Sequence, residues 1–101
     1  MIANLLELIH YHDGQIASRS LTKKLALDNP VTLYAIPAGE SISHESSTLT
    51  KLIQVLEGSL QVEIAGETYC LNDSALMSIP ANQRHHLYAL KDTKLLQIEV
   101  P

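Results

Sequence analysis

Residues 37–86 read PAGESISHESSTLTKLIQVLEGSLQVEIAGETYCLNDSALMSIPANQRHH, short runs of alternating apolar and polar residues cut by glycines, prolines and an Asn-Asp pair. Apolar side chains at every second position line one face of a strand, because successive side chains point to opposite sides. Lys51 to Leu56 is one such run, and Leu60, Val62 and Ile64 form the next. With Glu57-Gly58 as a two-residue loop, the spacing predicts a hairpin in which Val55 faces Leu60, Ile53 faces Val62 and Lys51 faces Ile64. That face is apolar except at Lys51 and is expected to line an interior. The other face, carrying Leu52, Gln54 and Leu56 against Glu63, Gln61 and Ser59, is mixed.

Working outward, breaks recur at Ala65-Gly66, Asn72-Asp73, Pro80-Ala81-Asn82 and Lys91-Asp92-Thr93. Strands this short, spaced this evenly, indicate an all-β sandwich or barrel. Upstream, Leu27-Asp28-Asn29-Pro30 is a turn that delivers Val31 to Ile36 into the sheet. Gln15 to Leu21 reads as a lead-in strand. Ile2, Leu5, Leu6 and Ile9 recur at helical spacing with Asn4 placed to cap, so a short amphipathic helix is expected before His12-Asp13-Gly14. The 101 residues are expected to form a single domain, with the barrel in 31–100 and the helix and lead-in strand in 1–30.

Two motifs and the spacing between them resemble the cupin superfamily. Gly39, His44 and Gly58 occupy recognisable places in its first motif, and Pro80 and His85 in its second. The resemblance implies a double-stranded β-helix, the jelly-roll barrel of that family, with a site inside the lumen. A member with a complete ligand set holds a divalent transition metal there. Here the family's ligand glutamate falls on Lys51 and the second histidine of its His-x-His pair on Ser46. His44 and His85 are therefore the metal-ligand candidates, for Zn, Ni, Fe or Mn, and the resemblance brings them together across the lumen. An ammonium at position 51 repels a dication where a carboxylate would attract it.

Histidine carries the remaining chemistry. Imidazole suits transition metals, but a durable site needs three or four donors, which Glu45, Ser46, Gln54 or water would have to complete. The alternative is a metal-free lumen in which His44, His85, Lys51, Ser46 and Gln54 hold a polar or anionic small molecule. His86 alternates away from His85 and is expected to face outward. His10 and His12 either sit idle in an exposed turn or approach the barrel mouth. Nothing in the Ser- and Thr-rich segment around His44 resembles a nucleophile elbow. Whether the chain is an enzyme stays open, with dioxygenases and isomerases among the family's activities. With Phe and Trp absent, the expected ligand is small and not broadly aromatic.

The formal charge of −4 and only seven Lys and Arg argue against a nucleic-acid surface. No stretch approaches the about 20 apolar residues that span a bilayer. The N-terminus lacks a secretory pattern and Cys70 has no second cysteine to pair with, so a cytoplasmic location is expected. Leu52 and Leu56 on the outer hairpin face suggest a homodimer.

Overall fold

A computed structural model describes residues 2–101, with the side chain of His44 excepted. Among the described residues, a 3-10 turn at Leu5–Glu7 precedes nine strands: β1 Ala17–Ser20, β2 Val31–Ile36, β3 Ser41–Glu45, β4 Thr50–Glu57, β5 Leu60–Ile64, β6 Glu67–Leu71, β7 Leu76–Ile79, β8 His85–Ala89 and β9 Thr93–Val100. They form a five-stranded sheet in the order β1-β2-β9-β4-β7 and a four-stranded sheet in the order β3-β8-β5-β6. All strand pairs are antiparallel.

The fold is therefore the all-β jelly roll expected, but the hairpin across Glu57-Gly58 is not formed. β4 pairs with β7 and β9, and β5 with β6 and β8, so the two strands belong to opposite sheets. Gly58 carries the chain across, at φ +106°, a backbone region open mainly to glycine. A Cβ there would overlap the Asp92 carbonyl and approach Thr93 Oγ1 and Cα at 2.6 and 2.7 Å. The crossing is pinned by Gly58 N–H donating to Asp73 Oδ1 at 2.8 Å and Ser59 N–H donating to Thr93 Oγ1 at 3.1 Å. The tight hairpin lies instead at Ala65-Gly66, where both residues have positive φ, 51° and 81°. That is the signature of a turn whose twist matches its flanking strands.

Although its partners differ from those expected, β4 keeps its faces. Lys51, Ile53 and Val55 are buried inward, and with Leu60, Val62, Leu87, Ala89, Leu95 and Ile36 the apolar members fill the space between the sheets. Most of these sit toward the Gly58 end, so one end of the barrel is packed solid with aliphatic side chains.

The N-terminal segment is a strap rather than an amphipathic helix. Among the described residues, helical structure is limited to the 3-10 turn, and Asn4 makes no side-chain cap. One turn gains too few hydrogen bonds to offset nucleation. Leu5, Leu8, Ile9 and Tyr11 instead pack on Val31, Leu33 and Ala35, the outward side of β2, making a second apolar cluster that also takes in Leu56, Leu96 and Ile98. Leu56 is therefore covered by this chain itself. Glu57 clasps the strap: Tyr11 Oη donates to its Oε2 at 2.8 Å, while Lys94 Nζ donates to the Leu6 carbonyl at 2.8 Å and lies 5.2 Å from the Tyr11 ring centre. β1, the edge strand of the five-stranded sheet, pairs with β2 from Ala17 to Ser20, within the expected lead-in strand.

Candidate functional site

The polar end of the barrel is where the two sheets supply charges to one another. β4 presents Lys51 inward from the five-stranded sheet, and its cross-strand neighbours there are Ile79 on β7 and Glu99 on β9. The four-stranded sheet supplies His85, whose neighbours are Glu45 on β3 and Ile64 on β5. A register shift between Ile42 and Glu45 sets the end of β3 opposite His85.

Three groups meet. Lys51 Nζ donates to Glu45 Oε2 at 3.1 Å and lies 3.4 Å from His85 Nε2, while His85 Nδ1 is 3.1 Å from the Gln83 carbonyl. The carbonyl can only accept, so the proton is assigned to Nδ1, and the Nε2 lone pair faces the ammonium. The partners differ in exposure. The Lys51 side chain is 6% accessible and that of Glu45 41%, so the cation is fixed in the interior and its counter-charge sits at the rim.

Tyr34, also inward on β2, feels the same charges. Burial raises its hydroxyl pKa above the ordinary 10.0, and the carboxylates of Glu45 and Glu99 raise it further. Neither Tyr34 nor Glu99 was singled out from the sequence. The signal was misleading: the strap buries the outward Val31, Leu33 and Ala35 while the inward Thr32 and Tyr34 are only partly buried, so the apolar alternation of Val31–Ile36 marks the outer face and not the lumen.

The other candidates are dispersed. Ser46 is exposed in the loop after β3, and Gln54 has the opposite parity to Lys51, beside Leu76 and Leu96 on the far face of its sheet. His86 points outward as expected, opposite Glu63, and both border a depression of about 150 Å³ with Ala65, Arg84 and His85. His10 and His12 are exposed and flank Tyr11, whose bond to Glu57 holds them at the Gly58 end of β4. Six residues of strand, about 20 Å, separate that end from Lys51, so these histidines do not reach the mouth. The side chain of His44, the first expected metal ligand, lies outside the described residues.

The described donors do not fit a tightly held dication. Among the described residues, no three His, Cys, Asp or Glu side chains are grouped to hold a metal ion. The His85 lone pair that would bind one, at about 2.1 Å, already faces the Lys51 ammonium, and the Glu45 carboxylate is engaged by the same ammonium. Among the described residues, no helix is long and apolar enough to cross a membrane.

No family model and no curated protein matches the sequence. Solved structures of similar shape do. A cupin superfamily protein from Desulfitobacterium hafniense superposes with a TM-score of 0.89 at 24% identity, over 97% of this chain and 88% of that one. A conserved protein of unknown function from Streptococcus pyogenes gives 0.86 at 25% identity, over 100% and 88%. The salicylate 1,2-dioxygenase from Pseudaminobacter salicylatoxidans gives 0.75 at 19% identity, over 85% of this chain but only 26% of the enzyme. The chain is a small cupin-fold domain. At these identities the likeness carries the barrel and not the chemistry of any one of these proteins.

Proposed function

We propose that this cupin-fold domain binds a small polar molecule at the polar end of its barrel, using the buried Lys51 ammonium as its recognition cation in place of a tightly held divalent metal. The observation that supports this reading is the placement of Lys51 Nζ, 3.4 Å from His85 Nε2 and 3.1 Å from Glu45 Oε2. An ammonium so placed is a tethered monocation: it offers charge and hydrogen bonds without an exchangeable ion. Aliphatic neighbours, Ile53, Ile64 and Ile79, favour a small ligand with a short apolar body.

Metal titration tests the reading. After chelator treatment, the wild-type protein is expected to bind Zn²⁺, Ni²⁺ and Mn²⁺ weakly. Lys51→Glu places a third donor beside His85 and Glu45 and exchanges a repulsive charge for an attractive one. Its affinity should rise at least tenfold, about 1.4 kcal/mol. Tight stoichiometric metal in the wild type would refute the reading. Equal weak affinities would show that the side chain at position 51 does not control the site.

A further inference from the structure

We infer that Glu45 is a built-in occupant of the Lys51 site, and that the ligand which replaces it is a short aliphatic monocarboxylate. The inference rests on the ligand-binding reading above and adds the chemical class. Lys51 is enclosed and cannot leave, whereas the Glu45 side chain is 41% accessible, at the last residue of β3, just past the shift in register. Of the two partners of this ion pair, the carboxylate is the one that can swing into water, and the enclosed ammonium it leaves without a counter-charge then favours another anion. Its departure uncovers an ammonium already positioned for a carboxylate oxygen, with His85 Nε2 beside it.

Charge and packing narrow the class. Glu99 is the cross-strand neighbour of Lys51 on the inner face, and its charge, with that of Glu45, is felt at the Tyr34 hydroxyl. A monoanion restores the balance that Glu45 maintained, whereas a dicarboxylate or phosphate brings a further negative charge toward Glu99. Ile64 and Ile79 flank His85 and Lys51, which suits a short alkyl chain and offers nothing to further polar groups. Self-occupancy also sets the affinity. If Glu45 holds the ammonium for about 90–99% of the time, apparent binding of a competing carboxylate weakens ten- to a hundredfold.

Sodium acetate is the probe, titrated into ¹⁵N-labelled protein at constant ionic strength against sodium chloride, sodium sulfate and acetamide. Acetate is expected to shift the amide signals around His85 saturably in the wild type. In Glu45→Gln and Glu45→Ala it should saturate at least tenfold lower in concentration, with chloride, sulfate and acetamide inert. Glu45→Ala leaves room for the incoming carboxylate, and Glu45→Gln preserves the shape if the smaller residue unfolds the protein. Adding Lys51→Met to either should abolish the response. Equal acetate affinity with and without Glu45, or saturation by sulfate as readily as by acetate, would overturn the inference while leaving the metal-free reading intact. Stoichiometric metal in the wild type would overturn that reading instead.

Discussion

Removing either partner of the Lys51–Glu45 pair should have unequal effects on stability. At 3.1 Å the attraction is about 1.3 kcal/mol at the dielectric of water and about 5 kcal/mol at an effective value near 20. The pair lies between these limits, because one side chain is 6% accessible and the other 41%. Glu45→Gln keeps the shape but leaves the ammonium enclosed without a counter-charge. The usual cost of breaking a buried pair this way, about 3–5 kcal/mol, is reduced to about 2–3 kcal/mol because Glu45 was only half desolvated. Lys51→Met removes the enclosed charge itself. Glu45 then turns into water, His85 Nε2 loses a donor at about 1–2 kcal/mol, and the apolar Met chain recovers about 1 kcal/mol against Ile53 and Ile79. The net cost is about 0–1 kcal/mol. Urea unfolding by circular dichroism, in chloride buffer free of carboxylates, measures both. If Lys51→Met costs as much as Glu45→Gln or more, the ammonium is not the fixed and enclosed member. If both fall within about 0.5 kcal/mol of wild type, water screens the pair and the site loses its cation.

Gly58→Ala should destabilise by about 2–4 kcal/mol: about 1–2 for a side chain at φ +106°, and the remainder for the overlap with Asp92 and Thr93. Urea unfolding reads this directly, and a cost below about 1 kcal/mol would mean that the crossing between sheets relaxes freely. A pH prediction follows from Tyr34, whose hydroxyl is raised above 10.0 in the folded chain by burial and then by Glu45 and Glu99. Below that value folded and unfolded chains both keep the proton. Above it the unfolded chain releases its proton first, so this contribution is complete below pH 10 and is lost as pH rises toward the folded value. Tyr34→Phe should therefore lose stability less steeply than wild type above about pH 10 in paired urea curves, and parallel curves would remove Tyr34 from the charged end.

Much of the architecture is legible in local patterns. The strands β2, β4, β5 and β9 and the breaks between them follow from alternation and turn residues, although the turn expected at Leu27–Pro30 lies earlier, at residues 22–26, and the inward set Ile53, Val55, Leu60 and Val62 follows from strand parity. Parity also separates His85, inside, from His86, outside. The proposed strand partners fail at Glu57-Gly58, where a glycine that looks like a hairpin turn is a crossing between sheets. Period two is the same for a strand beside its sequence neighbour and for one in the opposite sheet. Apolar periodicity at the N-terminus is real too, but it reports a buried face and not a helix; Leu5, Leu8 and Ile9 satisfy it as a strap.

The sequence by itself determined which side chains face inward, because that depends only on the pleat of each strand. It placed Lys51 on an inward face, Gly58 at a break and His85 on the face opposite His86, while the lumen position of His85 came from the resemblance to the cupin superfamily. Strand parity already set Gln54 on the face opposite Lys51, whereas tertiary structure alone decided that Lys51, on the five-stranded sheet, would meet Glu45 and His85 on the four-stranded one, and that Ser46 would not join them. Backbone hydrogen bonds are alike for every antiparallel pair, so they do not encode which strands are neighbours. That choice is made by the burial of all inward faces together, and the contact between sheets that builds the site exists only once the barrel has closed.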